Sequence, residues 1–446
     1  MSENKHTIDI ILDLEKSTVS KNDSNKYQKL GLKFNPFPRS GVANMASSDI
    51  VTEKLIPVKR GTLDKISAYI RGALVPNEVV ENDKLATGVI IGNYGMGKTQ
   101  LLLFVKALLS QLHTSQYSSV NSLKPYVIYI DNPGVSISEL IGEIIRDIGE
   151  ENFRKFLWRN IILRMERDKS FVNRLKKFIR PGTLAMFESN RNEDPFHETN
   201  KVNYKLFIES FLNRIPTLKE RRSFEIEIKQ IIIAVLRNEF IDGVLAEYFY
   251  DIVSNDLGLN STWEAFISGS GKHLEGKESD VIKIIFRIVR EQGFTNFFVL
   301  VDEFEDISQG RLSKPKLDNY LYNLRILLDE NREWCLLFAM VPDAFRQIRK
   351  VSLPLAQRIS VITIELDKLT SDDAKFLLAN YLQLATDIEN NIKPFTVQAV
   401  KYLNSIVEID GTPRTLLQAC FSLIEEAARK NVEEIDETFV KENLVF

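Results

Sequence analysis

Short apolar runs without alternation recur along the chain, at Thr87–Ile91, Lys124–Asp131, Phe297–Val301 and Trp334–Met340. Strands of a parallel sheet covered by helices on both faces read this way, because neither face meets water. Ser360–Leu366 reads as a further strand. Between the second and third runs the pattern changes: helical periodicity holds over Asn152–Ile179, Asn203–Asn213, Phe224–Asp242 and Ala246–Ile252, with no credible strand among them. One helix normally joins successive strands of such a sheet, so this long helical stretch is expected to be an insertion with its own core. After the last strand the chain is helical again, with Thr370 opening a helix to about Leu384, then Thr396–Val407, Pro413–Lys430 and Asp436–Asn443. Ser136-Ile-Ser-Glu139 reads as a capping box after the second strand, and a helix is expected from about Leu63 to Arg71.

The expected organisation is a polar tail at 1–29, an α/β core at 30–149 and 281–366, a helical insertion at 150–280 and a C-terminal helical domain at 367–446. The fold class is α/β, a parallel sheet with a large all-helical insertion and a C-terminal helical domain. Within the tail, Ile8-Asp-Ile-Ile-Leu12 is the one apolar patch.

The first strand runs into Gly92-Asn93-Tyr94-Gly95-Met96-Gly97-Lys98-Thr99-Gln100 and an amphipathic helix. Strand, G-x-x-x-x-G-K-T loop and helix in that order form a phosphate site, whose glycines let successive N–H groups curl around a polyphosphate at the positive end of the helix. Lys98 is expected to reach the β- and γ-phosphates of ATP and the Thr99 hydroxyl to bind Mg²⁺, with Gly92 to Gln100 as the nucleotide-binding segment. The competing reading is a glycine-rich turn that holds no ligand.

The third strand ends in Val301-Asp302-Glu303-Phe304-Glu305-Asp306. Acids at the carboxyl end of a buried parallel strand stand where ligands of such sheets bind. Asp302 is expected to hold Mg²⁺ through water and Glu303 to polarise the attacking water. Glu305 and Asp306 are read as a solvated helix start.

Composition changes this picture little. The 446 residues are 44% hydrophobic and 27% charged with a net charge of −3, which excludes general disorder and gives no bulk argument for nucleic acid. Cys335 and Cys420 imply neither a disulfide framework nor a cysteine metal site, so a reducing, cytoplasmic compartment is expected. No apolar run is long enough to span a membrane. Locally, Phe153–Arg180 holds ten basic residues against Glu166 and Asp168, a balance of +8, interleaved with Phe156, Trp158, Phe171 and Phe178. Two readings stand: a stripe along a DNA or RNA backbone, or solvated helices whose aromatics face a core.

Taken together, the motifs resemble an AAA+ ATPase of the initiator-like branch, the group of origin-recognition, transposition-regulating and ExeA-type ATPases. Beside the phosphate loop and the Val301-Asp302-Glu303 strand end, Leu30-Gly-Leu-Lys-Phe-Asn-Pro36-Phe37 looks like the N-terminal box that runs beside adenine in such proteins, implying roles for Pro36 and Phe37. Gly411-Thr-Pro413-Arg414 is similar to the sensor 2 motif of a lid, implying that Arg414 reaches the γ-phosphate. Proline in a first helical turn also fixes the direction of the next side chain. Arg358 lies where an arginine finger for a neighbouring subunit is often placed, with Arg346 and Arg349 as competitors and a plain ion pair as an equal alternative. The sensor 1 position departs from the family, leaving only Asp343. The resemblance implies a homo-oligomer that hydrolyses ATP as a conformational switch on or near DNA. No winged helix is expected after the lid, which ends at Phe446, so DNA contact would fall to the insertion, the N-terminal region or a ring pore. The alternative is a signalling scaffold that binds a protein partner through the insertion. A P-loop kinase is disfavoured by the distant second carboxylate strand and the lid.

Overall fold

The computed structural model describes residues 26–41, 59–74, 86–114, 124–179, 194–240, 243–254, 276–308, 312–331, 334–386, 388, 391–406 and 408–444. The apolar patch at Ile8–Leu12 and most of the polar tail lie outside them, as does Arg180 at the end of the basic stretch.

In chain order the elements are α1 (Arg60–Leu74), β1 (Thr87–Gly92), α2 (Lys98–Thr114), β2 (Pro125–Ile130), α3 (Ile137–Ile148), α4 (Glu150–Arg167), α5 (Lys169–Lys176), α6 (Tyr204–Leu212), α7 (Leu218–Phe240), α8 (Gly243–Ser254), α9 (Glu278–Arg290) and β3 (Asn296–Val301). There follow α10 (Lys314–Glu330), β4 (Trp334–Met340), α11 (Pro342–Val351), α12 (Leu353–Ile359), β5 (Ile362–Leu366), α13 (Ser371–Leu382), α14 (Val397–Ser405), α15 (Pro413–Lys430) and α16 (Glu437–Asn443). The strands form one parallel sheet in the order β2-β3-β4-β1-β5. In register, Ile130 faces Val301, Val301 faces Phe338, and Val89 also faces Phe338. All seven residues of β4, the central strand, are buried, which is why its sequence lacks any polar alternation.

The chain divides into two compact units: one of residues 66–91 and 105–364, the other of 1–65, 92–104 and 365–446. The core of the first joins the sheet to the helical stretch, with Val89, Val299 and Phe338 from strands and Phe153, Trp158, Phe207, Phe211, Phe224 and Phe249 from helices. The helical stretch over Asn152–Ile179 is two helices, α4 and α5. Asp168 breaks it, and its carboxylate caps α5 by accepting from the Ser170 amide at 2.9 Å. Helices α10, α11 and α12 fill the segments around β4 that the periodicity had not marked.

The second unit packs α13 to α16 around Leu377, Leu403, Leu416 and Leu423, with Leu30, Leu32 and Phe37 from the N-terminal box in the same core. Thr370 and Asp373 form a reciprocal capping box on α13. The one expected at Ser136 is half made: Ser136 caps the Glu139 amide, while the Glu139 carboxylate accepts from the Val135 amide at 2.8 Å, one residue earlier than the motif requires.

Candidate nucleotide site

The phosphate loop belongs to the second unit and is shaped by its glycines. Gly95 and Gly97 have φ of +78° and +87°, conformations that a side chain disfavours. At Gly95 a Cβ would also lie 2.9 Å from Thr412 Cγ2 and 3.3 Å from Arg414 Cβ, so the loop and the start of α15 approach as closely as glycine allows. The Arg414 amide donates to the Gly95 carbonyl at 3.2 Å. Met96 is the buried anchor of the loop, while Asn93 and Tyr94 project outward, Tyr94 being 65% exposed.

Lys98 opens α2 and folds back over the loop. Its Nζ donates to the Gly92 carbonyl at 3.0 Å and lies 5.2 Å from the centroid of the Tyr94 ring. A buried ammonium over a concave run of amides at a helix N-terminus is a donor set that fits a polyphosphate. Thr99 follows on the same first turn, half-buried. Gln100 turns inward, its amide 3.4 Å from the Tyr381 hydroxyl of α13; burial pushes that hydroxyl up to about 12.

Pro36 and Phe37 are both buried, Phe37 at 3% exposure. The Phe37 ring stacks on Tyr381 at 5.8 Å and meets Phe395 edge-on at 6.0 Å. These contacts make Phe37 a member of the helical core of this unit. Gly411, at φ +67°, turns the chain into Pro413 at the first turn of α15, and Arg414 is exposed beside the loop.

In the first unit, β3 delivers the acids to the carboxyl edge of the sheet. The Asp302 amide donates to the Ile130 carbonyl at 2.8 Å, extending the ladder by one residue, and Asp302 is buried. Its Oδ1 accepts from the Glu303 amide at 2.9 Å and its Oδ2 from the Tyr129 hydroxyl at 3.0 Å. Glu303 then takes a left-handed φ of +47°, uncommon for a residue with a side chain and frequent at functional turns. Its exposed carboxyl is held above the usual glutamate value by desolvation and then by the charges of Asp306, Asp302, Glu305 and Asp131.

Glu305 and Asp306 differ from the expectation of a solvated helix start. Glu305 is 3% exposed, and Asp306 accepts from Asn132 at 3.4 Å. The turn over Phe304–Ile307 tucks under the sheet edge because Phe304 and Ile307 are core residues, and it carries Glu305 inward with them.

Arg358 on α12 is ion-paired with Asp329 of α10. Arg346 pairs with Asp343 three residues earlier, leaving both of these groups on the surface. Arg349 is exposed. In the basic stretch, Phe153 and Trp158 are core residues at 0% and 1% exposure. Arg154 pairs with Glu150 at 2.5 Å, Arg164 with Glu291 at 2.7 Å and Arg174 with Glu227 at 2.6 Å. Of the interleaved aromatics, Trp158 is a core residue, while Phe156, Phe171 and Phe178 are half-buried against that core, and part of the charge is neutralised within the unit.

Tyr129 escaped the sequence reading. It is one of two tyrosines in β2, and its partner lies 173 positions away, so no local signal marks it.

No family model matches the chain. An uncharacterized HTH-type transcriptional regulator of Methanocaldococcus jannaschii is 33% identical over 102 residues, which are 23% of this chain and 24% of that protein's length. A solved structure of the Aeropyrum pernix ORC2 protein, in ADPNP–ADP complexes, is similar at 14% identity with a TM-score of 0.43, over 91% of this chain and 71% of that one.

Proposed function

We propose that this chain is an ATP-hydrolysing AAA+ switch of the initiator-like branch, a homo-oligomer that couples the γ-phosphate state to assembly. The observation that carries the reading is the phosphate loop itself, with two left-handed glycines, Lys98 bent over it and the amide of Arg414 bonded to Gly95. In this reading Lys98 and the loop amides hold the phosphates, Thr99 and Asp302 hold Mg²⁺, Glu303 orients and polarises the attacking water, and Arg414 meets the γ-phosphate. When bound, Mg²⁺ would neutralise charge developing on the phosphates. Asp302 suits its part because its carboxylate is held in place by two donors. Losing the γ-phosphate removes a ligand that loop and lid share, which gives hydrolysis a conformational output.

The likeness to an HTH-type regulator supports a setting on or near DNA. The buried aromatics and ion-paired arginines of Phe153–Ile179 support the second reading, in which the insertion docks a protein partner and nucleic acid is not engaged.

Lys98→Ala and Glu303→Gln test the core of the proposal. Lysine contributes ground-state charge to the phosphates, whereas the glutamate acts on water as the reaction proceeds. The first variant is expected to lose binding of a fluorescent ATP analogue, the second to bind and fail to turn over. Equal hydrolysis by wild type and Glu303→Gln would remove Glu303 from this role.

A further inference from the structure

Tyr129 stands next to last on β2, where Tyr126 is the other residue with a hydroxyl. The hydroxyl is the part that needs explanation, since a half-buried O–H costs stability unless it is bonded. That bond goes to Asp302 Oδ2 at 3.0 Å. The ring is steadied on another side by Lys106, whose Nζ is 5.7 Å from the ring centroid and 3.8 Å from Asp147 Oδ1.

Asp302 therefore receives one hydrogen bond on each carboxylate oxygen, from Glu303 N–H at 2.9 Å and from Tyr129. A carboxylate oxygen has two lone-pair directions, so one on each oxygen stays open for a metal's water shell. With the backbone donor alone, the carboxylate would be free to swing about its terminal torsion, and ordering it would fall on the binding step.

Resting on the reading of Asp302 as a metal-side carboxylate, we propose that Tyr129 is a positioning residue that fixes the Asp302 carboxylate for Mg²⁺. Partners of this kind commonly change metal affinity by about 10- to 100-fold when removed.

The test is a Mg²⁺ titration of the full chain, following both ATP hydrolysis and the Mg²⁺-dependent gain in affinity for a fluorescent ATP analogue. Tyr129→Phe is expected to bind the analogue in EDTA as wild type does, to need about tenfold more Mg²⁺ in both titrations, and to recover turnover within about twofold at saturating Mg²⁺. Combined with Asp302→Asn it is expected to add no further shift, because the hydroxyl acts through that carboxylate. An unchanged Mg²⁺ requirement in Tyr129→Phe beside a shifted one in Asp302→Asn overturns the role of Tyr129 and leaves the ATPase reading standing. An unshifted Asp302→Asn overturns the metal role of Asp302 itself, and the Tyr129 proposal with it. Tyr129→Leu separates packing from hydroxyl loss. Equal Mg²⁺ shifts in Leu and Phe variants of different melting temperature support the proposal, and shifts that follow the lost stability overturn it.

Discussion

The backbone amide of Arg414 donates to the carbonyl of Gly95 at 3.2 Å, so the first turn of a C-terminal helix is tied to a phosphate loop more than three hundred residues earlier in the chain. The bond needs Gly95 at φ +78° and without a side chain, since a Cβ would stand 2.9 Å from Thr412 Cγ2. Proline at position 413 sets the entry angle. The arrangement makes the arginine side chain a neighbour of whatever the loop holds.

Gly95→Ala is expected to weaken ATP binding by about tenfold, from roughly 1–2 kcal/mol of left-handed strain together with the contact to Thr412. Arg414→Ala is expected to leave affinity within a few-fold and to lower turnover by about 100-fold, the scale of losing one donor to developing charge. Calorimetric binding and phosphate-release assays read the two separately. Arg414→Lys should not restore the rate, because an ammonium lacks the guanidinium fork.

The raised carboxyl of Glu303 predicts a pH dependence with a definite sign. If Glu303 polarises the attacking water as proposed, turnover needs its ionised form, so the rate should fall as pH drops through a value above the ordinary glutamate range. For stability the sign is opposite. A folded-state value above the unfolded one means that protonation favours the fold, so stability is fullest below the unfolded value and is lost as pH rises through the folded one. Glu303→Gln should therefore melt higher than wild type at neutral pH, with the difference closing toward pH 4, about the unfolded carboxyl value. A melting temperature for Glu303→Gln that equals wild type at both pH values would contradict it.

Arg358 is paired with Asp329 within one unit, and both groups are half-buried. If it also serves a neighbouring copy, Arg358→Ala should be nearly inactive alone and regain activity when mixed with Lys98→Ala, since a mixed assembly sets an intact arginine against an intact loop. Normal hydrolysis by Arg358→Ala alone would leave the ion pair as its whole role.

For the basic stretch, Arg174 is engaged with Glu227, so charge reversal of Lys169, Lys176 and Lys177 is the cleaner test. Phosphate contact by all three predicts a slope of log affinity against log salt on duplex DNA that flattens by about three units, with hydrolysis in the absence of DNA preserved. An unchanged slope would favour the protein-docking reading.

The strands, the C-terminal helices and the glycine-rich turn before α2 were legible because each is specified by residues adjacent in the chain. A doubly buried strand leaves an unbroken apolar run, as in Trp334–Met340, and proline, lacking an N–H, fits a helix only in its first turn, as at Pro413. Cap residues also acted locally, as Thr370 shows. What the sequence left undecided were relations across the fold. Glu305 looks solvated by type and neighbours, but Phe304 and Ile307 pull its turn under the sheet. The aromatics of the basic stretch suit nucleic-acid stacking until Phe153 and Trp158 find a helical core. Pairing of Tyr129 with Asp302, of Arg358 with Asp329 and of Arg414 with Gly95 depends on which strands and helices become neighbours. Local propensity determines the elements, and burial of their shared apolar surface determines which polar groups meet.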